Sequence, residues 1–278
     1  MATYEISDLN GETWEFGSDS PLHLMSLKGI DGAEFSLDTL HGVGQRGVTV
    51  VGSDFKEGQI VMTVALEPFK AGLRGDDAVD LVSRWRDGLG EGEAKRGDNE
   101  FRFYVVDSGR YQIVRLVKRG NVDWERVKSN RFCKDEITMQ SDESDWRTDP
   151  NTYTFTVAEF AGAVVANGGT VDSWPHFKLT GPIVGPTVGL AGEAVKLPDL
   201  AAGEHFEIET DPNWYAVTDE DGVDVTFDLY TLADGADDRW RKQAPARTPD
   251  IPVTITGTGT SAATKLDVVV PQIYRSAL

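Results

Sequence analysis

The chain has 278 residues, of which 40% are hydrophobic and 26% charged, and its 46 Asp and Glu against 27 Lys and Arg give a formal net charge of −19. This composition is typical of a globular protein long enough for two domains. So acidic a chain suits a phosphate backbone poorly, which excludes sequence-specific nucleic-acid binding. The sequence has no run of 18 apolar residues and no secretory signal, so no membrane partner is expected. Because Cys133 cannot form an internal disulfide, we expect synthesis in a reducing cytoplasm.

Most of the sequence consists of short β-branched or alternating runs separated by Gly, Asp, Asn and Pro, which predicts a mainly β fold. Strands are predicted at residues 47–53, 59–67, 101–107, 111–119 and 152–160. The sequence DSGR predicts a hairpin turn between two of them, and WYAVTDEDGVDVTFDLY predicts a second hairpin around DEDG. The final run, TKLDVVVPQIYRSAL, predicts a strand that Pro271 places at a sheet edge.

One segment has a helical period instead. In DDAVDLVSRWRDGLG, the apolar residues Ala78, Val82, Trp85 and Leu89 recur at a spacing that lines one face of a helix. The sequence predicts a single helix here, with its apolar face covering one side of a sheet. The second half of the chain is predicted to contain strands only.

Two glycine-rich segments indicate how the chain is divided. The segment AGAVVANGGTVD, residues 161–172, has no charge until its last residue and predicts a linker between domains 1–165 and 166–278. Soon after it, GPIVGPTV places two Gly-Pro pairs directly behind the strand-like run WPHFKL. Because proline cannot donate to a sheet ladder, we expect a sharp turn that takes the chain from one sheet of a sandwich to the other.

Motifs that would indicate catalysis or a cofactor do not fit their surroundings. GVGQRG has the spacing of a dinucleotide fingerprint, but a β-branched run follows it, which predicts a glycine-rich turn into a strand. DEDG lacks the first ligand of a calcium loop, because Val217 stands at that position. No G-x-S-x-G, H-E-x-x-H, C-x-x-C or S-x-x-K occurs. The four histidines are scattered without metal-ligand spacing: His23, His41, His176 and His205. We therefore predict no enzyme and no catalytic, cofactor-binding or metal-binding residues.

A basic segment interrupts the acidic trend. Residues 110–134 contain only two acidic residues, Asp123 and Glu125, and eight basic ones: Arg110, Arg115, Lys118, Arg119, Arg126, Lys128, Arg131 and Lys134. Two interpretations remain open. The segment is either a solvated pair of strands with their turn, or an electrostatic contact with an acidic neighbour such as a second copy of this chain.

The order of segments in both halves resembles the distal tail (Dit) proteins of siphophages. In the second half, FKLTGPIVGPTV is followed by GEHFEIET, a hairpin with Asp-Gly at its tip, DDRWRKQAP and a last strand ending in QIYRS. The first half agrees through DLNGETWEF, GIDGAEFSLDTL, paired strands and one helix. One departure is APARTPDIPVTI, which replaces the Pro-Gly-x-Asn step of many members and leaves the turn geometry there open.

The resemblance implies a tail-tube-like N-terminal β-sandwich or barrel with one flanking helix, followed by a galectin-like β-sandwich. It also implies a structural virion protein at the tail tip, made in the host cytoplasm, that joins the tail tube to the baseplate. Such proteins form a ring, usually of six copies. Their partners are further copies of themselves, the tail tube protein, the tape measure protein and the hub or receptor-binding proteins.

Two alternatives remain open at this point. The first is a carbohydrate-binding module, for which the aromatic residues Trp214, Tyr215 and Trp240 are candidates, although core packing also explains them. The second is a tail-associated cell-wall hydrolase, which the missing motifs disfavour. No block of about 100 residues interrupts the second half, so an inserted sugar-binding module of the kind found in some relatives is not expected.

Overall fold

Contacts within the chain divide it into two units. The computed structural model describes residues 3–90, 99–129, 131–232 and 239–278. The first unit comprises residues 1–147 with 275–278, and the second comprises residues 148–274. This division falls 18 residues before the boundary that the sequence predicts between residues 165 and 166. None of the helices within the described residues is long and apolar enough to span a membrane.

The first unit is built from antiparallel strands and two helices. Its strands are β1 (Tyr4–Ser7), β2 (Thr13–Glu15), β3 (Leu22–Lys28), β4 (Phe35–Leu40), β5 (Thr49–Phe55), β6 (Gly58–Leu66), β7 (Phe101–Val105), β8 (Arg110–Arg119) and β9 (Cys133–Ser141), with the start of β10 (Trp146–Thr156). Its helices are α1 (Asp76–Gly88) and α2 (Trp124–Lys128). Hydrogen-bonded neighbours form two series of strands, one in the order β3-β6-β9-β8 and the other in the order β8-β7-β1-β2. Strand β8 belongs to both series. Among the strands of the described residues, β4 and β5 form a separate two-stranded sheet.

The core of the first unit lies under helix α1, as the sequence predicts. Ala78, Val82, Trp85 and Leu89 are all buried. The ring of Trp85 meets that of Trp14 edge to face, with 5.6 Å between their centroids. Strands β6 and β9 pair over nine residues each and turn alternate side chains into this core. The single predicted helix is therefore confirmed, and its apolar face covers the sheet.

The second unit is a β-sandwich. It contains the rest of β10 together with β11 (Val164–Asn167), β12 (His176–Thr180), β13 (Val184–Leu190), β14 (Val195–Lys196), β15 (His205–Glu209), β16 (Ala216–Thr218), α3 (Thr226–Leu232), β17 (Thr248–Thr258) and β18 (Lys265–Tyr274). One sheet has the order β16-β15-β12-β18, with β10 beside β18, and the other has the order β11-β17-β13-β14. Residues of both sheets share one hydrophobic core, for example Phe177 and Val188.

The two Gly-Pro pairs lie where the chain changes sheets. Strand β12 belongs to the first sheet of the sandwich and β13 to the second, so the predicted crossing is confirmed. Pro182 follows a cis peptide bond between the two strands. Pro186 differs from the expectation, because it lies inside β13. The register of β13 against β17 shifts between Val184 and Thr187, so the missing N–H of Pro186 falls at a β-bulge and not in a regular ladder.

The segment 161–172 is part of the second unit's fold, although its composition predicts a linker. It contributes β11, which pairs with β17, and Val165 is buried in the sandwich core. The side-chain amide of Asn167 donates to the carbonyl of Ala244 at 2.8 Å. Gly169 packs so closely that a Cβ there would lie 2.5 Å from the carbonyl oxygen of Ile273. Its glycines therefore reflect close backbone packing and not interdomain flexibility.

Three sequence predictions about elements are wrong. Helix α2 was not expected; its N-terminus forms where the Asp123 carboxylate accepts a hydrogen bond from the N–H of Arg126 at 3.1 Å. Helix α3 replaces the second strand of the DEDG hairpin, so that strand pairing beyond the turn shrinks to the bridge between Thr218 and Asp224. Strand β18 lies between β12 and β10 and not at an edge. Pro271 is tolerated there because pairing with β12 ends at Val269.

Candidate assembly surface

Strands β4 and β5 form a two-stranded ribbon, residues 35–55, that pairs with no other described strand. The predicted glycine-rich turn lies at its tip, where the side chain of Gln45 accepts a hydrogen bond from the N–H of Gly42 at 3.0 Å. No helix opens after this turn, so the dinucleotide fingerprint is excluded by context as the sequence indicates. Nearly every residue of both strands is exposed.

The two faces of this ribbon differ in chemistry. Because side chains alternate along a strand, Phe35, Leu37 and Thr39 lie on the same face as their partners Phe55, Ser53 and Val50. The opposite face carries Ser36, Asp38 and Leu40 with Asp54, Gly52 and Thr49. We call the first set the apolar face of the ribbon. Its largest side chains are each 39% to 62% exposed.

The base of the ribbon is fixed by the last residues of the chain. The guanidinium of Arg275 lies over the ring of Phe55, with its Cζ 4.9 Å from the ring centroid. The N–H of Ala277 donates to the carbonyl of Ile30 at 2.9 Å. Gly32, at a φ of +110°, lets the backbone approach Arg275 so closely that a Cβ would overlap its carbonyl oxygen. The ribbon is therefore held at its root, where Arg275 covers part of Phe55, while Phe35 and Leu37 of the apolar face remain exposed.

An isolated hairpin of this kind is marginally stable in water. Unpaired strand edges and a contiguous apolar face are also the features that proteins normally cover, because they promote association. Within the described residues the apolar face has no covering element, since Phe35, Leu37 and Val50 all remain exposed. The arrangement suits docking onto another polypeptide.

Four of the eight basic residues in segment 110–134 form ion pairs within the first unit. Arg115 contacts the carboxylates of Glu100 and Asp142. Further ion pairs in this segment join Arg126 with Asp123, Lys128 with Asp76, and Lys134 with Glu136. The structure thus favours the interpretation of solvated strands with local ion pairs over that of a free cationic contact.

The aromatic candidates of the second unit do not share one platform. Trp240 is buried, and its Nε1 donates to the carbonyl of Val188 at 3.1 Å. Tyr215 packs against it with 6.2 Å between ring centroids, whereas Trp214 is 54% exposed. Sequence reasoning missed Trp174, which lines a cleft with Tyr215 and Trp240. Its only signal is its position in WPHFKL, directly before β12.

In the part of the chain that the structure describes, no three His, Cys, Asp or Glu side chains are close enough to hold a metal ion. In the DEDG turn, the Asp219 carboxylate accepts hydrogen bonds from the N–H groups of Asp221 and Val223, as expected for a solvated turn.

One buried carboxyl group has a perturbed pKa. Asp135 on β9 is fully buried, and this burial raises its pKa, while the guanidinium of Arg86 opposes the rise. The Arg86 Nη1 lies 3.8 Å from the Asp135 Oδ1. The Arg86–Asp135 pair lies between α1 and β9 inside the core, so we interpret it as structural.

Solved phage structures have the same fold over nearly the whole chain. The SPP1 Dit protein, described as a paradigm of the hub adsorption apparatus in Gram-positive infecting phages, matches with a TM-score of 0.66 at 11% identity, covering 98% of this chain and 99% of that one. A chain of the phage P2 baseplate in its activated conformation with Ca matches at 0.53, 11% identity and 98% of both chains. The same baseplate with Sr matches at 0.52 and 11%, covering 96% and 98%. The sequence itself matches no protein-family model and no curated protein.

The chain therefore has a mainly β fold of the phage Dit and baseplate type. The mainly β fold that the sequence resemblance implies is confirmed, with 98% of the chain matched, whereas the galectin-like character of the second domain stays a prediction. The likeness extends to α1 and to the sandwich of the second unit, because almost no part of either chain is left unmatched.

Proposed function

We propose that this protein is a structural component of a siphophage tail tip that self-assembles into a ring and joins the tail tube to the baseplate. The observation that supports this most strongly is the fold match to the SPP1 Dit protein over 98% of this chain. The ring would use residues 1–147 with 275–278, the unit that carries the ribbon, while the second unit faces the hub or receptor-binding proteins. No chemical step is part of this function.

The ribbon provides the means of self-association. Its apolar face offers Phe35, Leu37 and Phe55 to a neighbour, and its unpaired edges can extend a neighbour's sheet. If the ribbon of one copy docks onto a different surface of the next copy, the contact is heterologous. Such contacts form a closed ring when the rotation between neighbouring copies adds up to a full turn. In this arrangement six copies, the tail tube protein and the tape measure protein complete the proposed set of partners.

Replacing residues 35–55 by a short Gly-Ser turn tests this directly. We expect the full chain to sediment as an oligomer in analytical ultracentrifugation and the shortened chain to sediment as a monomer. Circular dichroism and the melting temperature of the shortened chain serve as the folding control, since the ribbon shares no sheet with the core. An oligomer that survives the deletion would reject the ribbon as the contact.

The hydrolase alternative has no support from the structure. The test of this alternative is to add the purified chain to a suspension of host cell walls, where a hydrolase would lower the turbidity. The sugar-binding alternative has a specific observation in its favour, the aromatic cleft beside Trp174.

A further inference from the structure

A cleft of about 420 Å³ opens on the second unit above the buried ring of Trp240. Its lining residues are Trp174, Pro212, Tyr215, Arg239, Trp240 and Arg241. This volume lies in the range of small-molecule sites, which are typically walled by aromatic side chains with a few polar groups. None of these residues has been assigned a role in the proposed ring.

The floor of the cleft is rigid. The Trp240 ring lies between Phe177 and Tyr215, with centroid distances of 6.3 Å and 6.2 Å. Its Nε1 is held by the carbonyl of Val188. A tryptophan fixed on these sides keeps one rotamer, so the cleft is preformed and a ligand would lose little affinity to ordering it.

The rim of the cleft is fixed by a buried carboxylate. Glu193 is only 4% exposed, and its two oxygens accept hydrogen bonds from the N–H groups of Arg241 and Lys242 at 2.7 Å and 3.2 Å. The backbone at Arg241 and Lys242 is therefore anchored by this carboxylate. Arg239 itself is exposed at the mouth.

The cleft is lined by two arginines although the second unit is acidic as a whole. Residues 148–274 contain 19 Asp and Glu against 7 Lys and Arg, a net charge of −12. Three of these seven cations lie within residues 239–242, and two of them line the cleft. The carboxylate of Glu193 lies beside the backbone of Arg241 and Lys242 and offsets part of this positive charge. The exposed guanidinium of Arg239 is therefore the group that would attract an anionic ligand.

We propose that this cleft binds a saccharide that carries a carboxylate or phosphate group. The faces of Trp174 and Tyr215 supply the flat apolar walls against which the C–H face of a pyranose packs. The guanidinium of Arg239 pairs with the anionic group, since its planar fork matches carboxylate and phosphate oxygens. This binding function goes beyond the structural role and does not require the ring.

Protein-observed NMR of the full chain tests the proposal with glucuronate, glucose 1-phosphate and glucose as probes. We expect both anions to shift the Trp174 and Trp240 indole signals saturably, and to bind about 10-fold more tightly than glucose, as one charge-assisted hydrogen bond allows. A fourth probe, a tetrasaccharide ending in glucuronate, distinguishes two sources of the natural ligand, a surface polysaccharide and a free sugar phosphate. Tighter binding of the tetrasaccharide assigns the site to the polysaccharide, and tighter binding of glucose 1-phosphate assigns it to the free compound.

Three variants make the test specific. Arg239→Gln should reduce anion affinity about 10-fold, to the level of glucose, because the charge-assisted bond is lost. Trp174→Ala should weaken all three probes, and Trp214→Ala, which removes an exposed tryptophan outside the cleft lining, should change none of them. Anion binding that is unchanged in Arg239→Gln would overturn the proposal. So would the absence of saturable shifts in the wild-type chain, or tighter binding of an Asp-rich peptide than of any sugar.

Discussion

Phe35 and Phe55 face each other across β4 and β5, with 5.7 Å between their ring centroids, and yet 62% of Phe35 and 39% of Phe55 remain exposed. Such an aromatic cross-strand pair stabilises the ribbon itself. It leaves about half of the surface of the two rings in water, which is unfavourable by about 25 cal/mol for each Å² that a partner could cover. The pair therefore stabilises the ribbon and at the same time presents it for docking.

The first prediction concerns the apolar face. Leu37→Lys should raise the dissociation constant of the oligomer at least about 10-fold, because a docked leucine contributes about 1.5–3 kcal/mol and a buried lysine would be unpaired. The measurement is the concentration dependence of mass by light scattering.

The matched control is the neighbouring substitution Ser36→Lys. Ser36 is exposed on the opposite face of the same strand, directly across from Asp54, so the new cation is accommodated there. The oligomer should persist in this variant. Equal loss of assembly in both variants would count against the apolar face as the contact.

A second prediction separates the ribbon from the basic segment 110–134. Assembly through an apolar face should survive 0.5 M NaCl, where the Debye length is about 4 Å, because screening does not weaken hydrophobic contact. The measurement is the sedimentation coefficient at 0.05 M and 0.5 M NaCl. Dissociation at the higher salt would favour the electrostatic alternative, despite the internal pairing of Arg115 and Lys128.

The third prediction concerns the glycine pair in segment 161–172. Gly169→Ala should lower the free energy of unfolding by roughly 1–3 kcal/mol, because its Cβ would meet the backbone of Ile273, which cannot move without distorting β18. At Gly168 a Cβ would meet only the end of the Gln272 side chain, at 3.2 Å. Gly168→Ala should therefore cost less. Urea denaturation of both variants measures the difference, and equal stability would argue that the segment is a loose linker after all.

The fourth prediction uses the raised pKa of Asp135. Between the ordinary pKa of an aspartate and the raised value, the folded chain binds more protons than the unfolded chain, so this group's contribution to stability falls as the pH rises. Asp135→Asn cannot ionise. Its free energy of unfolding, relative to wild type, should therefore increase as the pH rises above the ordinary pKa of an aspartate, although the loss of the Arg86 partner adds a constant offset. The charge of Arg119 also lowers the pKa of this carboxyl, without outweighing the effect of its burial.

Glu136 provides a control of opposite sign on the same strand. The Nζ of Lys134 lies 2.6 Å from its Oε1 and lowers its pKa, so its contribution to stability is lost as the pH falls. The free energy of unfolding of Glu136→Gln, relative to wild type, should therefore decrease as the pH rises. The decrease should be small because the Lys134–Glu136 pair is exposed. Parallel pH trends in the two variants would contradict the assignment of Asp135 as the buried group.

The sequence predicts α1 well because four apolar residues at helical spacing have one physical explanation, a buried face. It fails at α3 because Val223, Val225 and Thr226 favour a strand locally. Tertiary contacts override that preference, since Leu229 is buried in the sandwich core and the Thr226 hydroxyl accepts a hydrogen bond from the N–H of Val217 at 2.9 Å.

The candidate assembly surface is harder to predict from sequence for a different reason. The alternation in FSLDTL is that of a half-buried strand, and it is the same whether the apolar side packs on the chain's own core or on another copy. Only the exposure of Phe35 and Leu37 in the folded chain distinguishes the two. The cleft beside Trp174 is likewise formed by residues from three separate segments, so no local pattern contains it.

Electron microscopy of the purified chain, with its mass determined by light scattering, tests the proposed ring most directly. We predict closed rings with a central channel and a mass that is a whole multiple of 30.4 kDa, with six copies as the expected number. Particles of a single 30.4 kDa chain at every concentration, with no closed ring in any field, would contradict the account.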